Sequence, residues 1–97
     1  MNYKTVADTT QAVIEIQHHA LENIAEWGLQ DLKTLIVVAT EELGETAKEV
    51  LNHEQNIGKN SEDVLLYRIR DEAKDFAAVG LQIMALVEKL KRRGNND

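Results

Sequence analysis

The sequence predicts an all-α fold, a four-helix-bundle-like domain completed by oligomerisation, and three observations predict it. The chain has no Pro, is rich in Ala, Leu, Val, Glu and Lys, and carries only 4% aromatics, a composition of helix formers rather than strand formers. Apolar residues recur at spacings of three and four along three successive stretches, the mark of amphipathic helices. Ninety-seven residues make one domain, 1–97, with a modest core, so about three helices per chain leave a face for a second copy to cover.

Residues 1–7 carry no cap or periodic signal and are expected to form a flexible end, as is the tail 94–97. Asp8, Thr9 and Thr10 are N-cap candidates for the first helix, with Gln11 three residues after Asp8 as in a capping box. Val13, Ile14, Ile16, Leu21 and Ile24 then recur at helical spacing, and the helix is expected to end near Trp27-Gly28. Asp31 is placed to cap a second helix whose apolar positions include Leu32, Leu35, Ile36, Ala39, Leu43, Ala47 and Leu51, fading near Asn52-His53. The stretch from Glu54 to Asn60 reads as the long linker. Ser61 is the expected cap of the third helix, with Glu62 and Asp63 favourable at its positive end and Lys89 to Arg93 at its negative end. A break near Tyr67 to Ile69 would divide it into a short and a long helix. Gly44 and Gly80 inside helical patterns each cost about 1 kcal/mol against Ala; at Gly44, close backbone approach at a site and tight helix packing are equal explanations.

Composition also excludes. Without Cys there are no disulfides and no thiolate metal ligands. No apolar run is long enough to span a bilayer and no signal pattern opens the chain, so the expected location is cytoplasmic and no membrane partner is expected. A net charge of −6 argues against a nucleic acid polymer as partner, though not against an anionic substrate held through metal ions.

The unusual feature is where the acids fall. One heptad line runs Leu35, Val38, Glu42, Glu45, Glu49. Another runs Leu65, Glu72, Val79, Leu86, interleaved with Ile69, Phe76, Ile83 and Leu90. Glu42 and Glu45 share a helix face, as do Glu72 and Asp75. Carboxylates on an apolar seam are costly unless neutralised, and two facing pairs would repel without cations. An oxygen-rich, histidine-free set suits a hard divalent ion, Mg²⁺ or Mn²⁺, rather than Zn²⁺. Glu49 extends the line and reads as a helix-surface residue rather than a ligand.

The pattern E-E-x-x-E (Glu41, Glu42, Glu45) followed on the next helix by E-x-x-D (Glu72, Asp75) resembles the signature of the MazG-like all-α nucleoside triphosphate pyrophosphohydrolases, a superfamily that includes the dimeric dUTPases and phosphoribosyl-ATP pyrophosphatase. The resemblance covers most of the chain. It implies a Mg²⁺-dependent hydrolase that cleaves a (deoxy)nucleoside triphosphate between the α and β phosphates, yielding monophosphate and pyrophosphate, in the service of clearing unwanted nucleotides. It implies metal ligation by Glu42, Glu45, Glu72 and Asp75, with Glu41, Glu42 and Glu45 as the catalytic acids. Glu41 would accept a proton or orient a ligand, or else be a solvated surface residue. Some relatives line the base pocket with a His and a Trp, which on this chain implies His18 and Trp27 as substrate-binding residues; Trp27 could equally close the end of the bundle. His19 and Asn23 read as surface residues. Many relatives carry an aromatic about one turn after the aspartate, where this chain has Val79 and Gly80, which leaves base preference open. The assembly implied is a homodimer or homotetramer.

Two other readings compete. A carboxylate-bridged di-iron bundle wants Glu-x-x-His on two helices, which neither acidic half supplies. A non-catalytic helical dimerisation or partner-binding module would share the fold and the apolar seams without needing Mg²⁺ or nucleotides.

Overall fold

Among the described residues, caps and one left-handed glycine set off three helices. The computed structural model describes residues 2–56 and 62–94. Helix α1 spans Tyr3–Trp27. It starts earlier than Asp8 because the Asn2 side chain caps it, accepting a 2.8 Å hydrogen bond from the Thr5 amide. Residues 3–7 are therefore helical, not a flexible end. The hydroxyls expected to cap instead bond back along the helix: Thr9 donates to the Thr5 carbonyl at 2.9 Å and Thr10 to the Val6 carbonyl at 2.9 Å, the other use of Thr beside a helix backbone.

The helix ends where expected. Gly28 adopts φ +75°, a conformation open to Gly at little cost, and its amide donates to the Ile24 carbonyl at 2.8 Å. Asp31 caps α2 (Leu32–Gln55) by accepting from the Thr34 amide at 2.8 Å, an arrangement worth about 1 kcal/mol. The helix continues through Glu54 and Gln55, one turn's fraction beyond Asn52-His53. Helix α3 runs unbroken from Glu62 to Gly94. No break occurs at Tyr67 to Ile69, where neither Gly nor Pro interrupts the backbone ladder. The Ser61 cap and most of the 54–60 linker lie outside the described residues.

Side-chain pairs fix the order as up, down, up. Glu15 meets Arg70 and His19 meets Asp75, so α1 runs parallel to α3. His53 meets Glu62 at one end of α2, and Leu35 packs with Val79 and Leu86 at the other, so α2 is antiparallel to α3. Among the described residues, α1 and α2 each pack on α3 and not on one another. The result is an all-α molecule measuring 58 × 32 × 23 Å, with α3 as its spine and a cleft where α1 and α2 diverge. The core is thin: Leu35, Val79 and Leu86 form its buried cluster, with Leu29, Val38, Ala39 and Ile83 packed against it. Leu35 is the only large side chain among the described residues that is completely enclosed. Among the described residues, no helix is long and apolar enough to cross a membrane.

Candidate metal centre and adjoining cleft

The antiparallel packing of α2 on α3 brings Glu42 opposite Glu72 and Asp75. Carboxylate oxygens of these three half-buried residues lie within 4.8 Å of one another. Each helix contributes by its own period: Glu72 and Asp75 sit three residues apart on one face of α3, and Glu42 meets them from the seam of α2. Among the described residues, no Lys or Arg forms an ion pair with any of the three, and the one partner is His19, whose Nε2 lies 3.0 Å from Asp75 Oδ1.

The electrostatics follow from that geometry. Glu42, Glu72 and Asp75 are all pushed above the usual carboxylate range. Loss of hydration is the leading cause in each case, and neighbouring acids add to it. Asp75 and Glu72 act on Glu42, and Glu45 acts on Glu72 and Asp75. For Asp75, His19 and Lys74 pull the other way. Both burial and like charge disfavour ionisation, so this cluster is under strain at neutral pH.

Of the four metal positions expected from the sequence, three converge. Glu45 is exposed and stands outside the 4.8 Å group, one turn along α2, where it adds negative potential rather than a convergent oxygen. Glu49, expected as a surface residue, is half-buried, and its Oε2 is enclosed with no hydrogen-bond partner. A buried acceptor without a donor costs about 1–3 kcal/mol, so the acidic line of α2 extends past Glu45 to a second unsatisfied carboxylate. Glu41 is exposed beside Glu42. An all-oxygen donor set from two rigid helices, with His19 as its one ion-pair partner among the described residues, fits a hard divalent ion.

A cleft of about 320 Å³ adjoins the cluster, with Glu42 and Asp75 in its wall. Asn23, Gln30 and Gln82 supply carboxamides, Trp27 supplies an aromatic face, and no Lys or Arg among the described residues lines it. Gln82 is buried, and its Nε2 donates to the Ala78 carbonyl at 3.5 Å. Trp27, 68% exposed, does not close a packed core but presents its ring at the cleft. The histidine expectation changes hands. His18 points away, 76% exposed, with its Nε2 3.4 Å from Glu22. His19, expected on the surface, lines the cleft against Asp75. Adjacent helical residues diverge by about 100°, so only one could face α3. Asn23 likewise lies in the cleft wall. Gly44 has open space where a Cβ would project, so neither close helix packing nor close backbone approach explains it within this chain.

Compared with protein-family models, with curated proteins and with solved structures, the chain matches none.

Proposed function

We propose that the protein is a Mg²⁺-dependent nucleoside triphosphate pyrophosphohydrolase of the MazG-like kind, acting on (deoxy)nucleotides. The observation that carries the proposal is the convergence of Glu42, Glu72 and Asp75 within 4.8 Å at the wall of a polar cleft. In this reading Glu42, Glu72 and Asp75 hold the metal, and Glu45 and Glu49 flank it. Bound Mg²⁺ would supply charge neutralisation for the phosphates and a lowered pKa for a coordinated water.

The side chains of the chain itself do the rest. His19 positions the Asp75 carboxylate. Trp27 offers a stacking face, suitable for any base, and Asn23, Gln30 and Gln82 offer donors and acceptors for base or sugar edges. Glu41 is the exposed neighbour available to take a proton from water or to orient Glu42. With no Lys or Arg in its wall, the cleft repels a polyphosphate unless cations intervene, which is why the reading requires metal. It also carries a homodimer or homotetramer, since three helices leave apolar surface uncovered.

The test is release of pyrophosphate from a panel of ribo- and deoxyribonucleoside triphosphates, with Mg²⁺ and with EDTA. Metal-dependent pyrophosphate with the matching monophosphate is the expected result. Orthophosphate as product, or silence from the folded protein across the panel, removes the proposal. Silence would favour the non-catalytic assembly module, a reading that the wealth of exposed apolar side chains on α2 and α3 supports on its own.

A further inference from the structure

The inner end of the cleft carries a polar side chain that the fold itself does not use. Gln82 is 5% exposed and is the one buried polar residue among those described. Its Nε2 donates to the Ala78 carbonyl at 3.5 Å. A carbonyl only accepts, so this contact fixes which side of the carboxamide is nitrogen and turns Oε1 the other way. Oε1 accepts from no donor among the described residues. Nor is it sealed: among those residues the one side-chain atom both sealed and partnerless is Glu49 Oε2, and the cavity that Gln82 lines is the cleft. A recessed acceptor held open toward a cavity calls for a donor from whatever fills that cavity.

The surroundings define what that donor belongs to. Glu15 stands level with Arg70 and His19 with Asp75. About two turns further along the parallel helices, Trp27 comes level with Gln82, and both line the cleft. Asp75, Val79 and Gln82 follow one another on one face of α3, about 10 Å from carboxylate to carboxamide at the helical rise. One end of this strip is the candidate metal centre. The other sets a stacking face beside a fixed acceptor. The wall there is completed by Leu35 and Val79, both buried in the apolar cluster, and neither side chain offers a hydrogen bond.

We infer that the Gln82 end of the cleft holds a nucleobase through an exocyclic amino group, so that cytosine is preferred to uracil and adenine to hypoxanthine. The inference rests on reading the cleft as a nucleotide site and adds the class of base. An amino nitrogen projects beyond its ring and reaches a recessed acceptor. The oxo counterpart sets a carbonyl in the same place, acceptor against acceptor, because the Gln82 nitrogen is engaged by Ala78. The ring N–H of uracil or hypoxanthine is no substitute, since it is set back beside carbonyl oxygens. Bringing it to Oε1 presses those oxygens against Leu35 and Val79, where nothing donates to them. Trp27 stacks on either member of each pair, so the discrimination falls to Gln82.

The probes are neutral deoxynucleosides, whose binding needs neither metal nor turnover. Trp27 is the chain's one Trp, so its indole N–H gives a single heteronuclear NMR signal from the cleft. Titrated into the whole metal-free chain, deoxycytidine is expected to bind roughly ten- to hundredfold more tightly than deoxyuridine, and deoxyadenosine than deoxyinosine, the range set by one buried hydrogen-bonding group left unpaired. Gln82→Met keeps the length and removes the acceptor, and is expected to bring both ratios to within about threefold. If that variant does not fold, the carboxamide N–H signals of Gln82 in the parent take its place, and are expected to shift with deoxycytidine in step with the Trp27 indole. Equal binding within each pair, preference for the oxo member, or no binding by any of the four overturns the inference. So does an unmoved Gln82 signal, or a preference that survives in folded Gln82→Met. Pyrophosphate release separates this from the catalytic proposal. An amino preference among nucleosides with no release from any triphosphate sustains the base site and removes the hydrolase. Release from dCTP and dUTP at equal kcat/KM, with no preference among nucleosides, does the reverse.

Discussion

Two carboxylate sites lie about a turn and a half apart along α3, and they have opposite character. At the first, Arg70 donates two hydrogen bonds to Glu15, at 2.7 and 3.0 Å, and Gln11 adds a third at 3.2 Å. Glu15 is held down to about 2, chiefly by the Arg70 hydrogen bond. At the second, Glu42, Glu72 and Asp75 face one another, no Arg or Lys among the described residues is bonded to them, and all three are pushed up. The first is a finished structural contact that docks α1 on α3. The second is half a contact, and what it lacks is positive charge. That contrast separates an acid that serves the fold from acids that burden it, and it is the strongest reason to assign the second group a ligand.

The largest expected effect breaks the contrast at its acidic end. Glu42→Gln and Glu72→Gln keep shape and remove charge. Under the catalytic proposal each lowers Mg²⁺-dependent pyrophosphate release by at least about a hundredfold, beyond the 10–100-fold typical of groups that only support a ligand. The same substitutions raise the thermal midpoint of metal-free protein by several degrees, since relieved repulsion of each 1 kcal/mol is worth about 4–8 °C in a domain of this size. Retained turnover in both variants, measured by pyrophosphate release, would falsify the metal assignment.

Next in size is the response of the parent protein to Mg²⁺ itself. Saturation at a hundred times the dissociation constant stabilises by about 2.7 kcal/mol, a shift of roughly 10–20 °C at this chain length. Differential scanning fluorimetry with Mg²⁺, with EDTA, and with NaCl at matched ionic strength reads it. Equal shifts from Mg²⁺ and NaCl would mean simple screening of a solvated acidic face.

The two sites also predict opposite limbs of the pH profile. Glu42, Glu72 and Asp75 bind protons more tightly folded than unfolded. Metal-free stability from this group is therefore highest at low pH and declines as pH rises through the ordinary carboxylate range into the raised one. Glu15 has the reverse sign: its contribution is present above 4.5 and lost as pH falls from there to about 2. Metal-free protein should therefore be most stable on the acid side of neutrality. With Mg²⁺ the upper limb should invert, because the ion binds the ionised carboxylates and proton uptake now competes with it. Melting curves from about pH 2 to about pH 8, with and without Mg²⁺, check both signs. An upper limb that does not change with metal would sink the assignment.

The sequence made the α2–α3 half of this arrangement easier to read than the α1 half, for a physical reason. Glu42 and Glu72 stand out because they interrupt apolar heptad lines, an interrupted pattern that carries its own phase, and Asp75 follows from sharing a helix face with Glu72. Asp31 and Gly28 were legible because a cap and a left-handed turn admit few residue types. Helix α1 offers weaker phase information. Thr9 and Thr10 can cap a helix or bond back within one, and only the Asn2 hydrogen bond distinguishes the two. His18 and His19 are adjacent, so choosing the one that faces α3 requires the docking angle that Glu15 and Arg70 set. Glu49 was misplaced for a similar reason. Its enclosure depends on how α2 lies against α3 beyond Glu45, which no local spacing encodes.

The smallest expected effect tests the satisfied site. Arg70→Met keeps much of the aliphatic stem and removes the two charged hydrogen bonds to Glu15. The pair is partly exposed, and such contacts contribute modestly once screened by solvent, so the midpoint should fall by a few degrees at most at neutral pH. The diagnostic is where the loss appears. Glu15 should move back toward 4.5, so the variant should lose the steep part of its acid limb and fall closest to the parent at low pH, where the parent's Glu15 is itself protonating. Mg²⁺ stabilisation and pyrophosphate release should be nearly unchanged, because Arg70 lines neither the cleft nor the carboxylate cluster. A large loss of activity in Arg70→Met with the fold intact would instead mean that the docking of α1 sets the geometry of His19 and Asp75. The two sites would then be one mechanical unit and not two contacts of opposite kind on a shared helix.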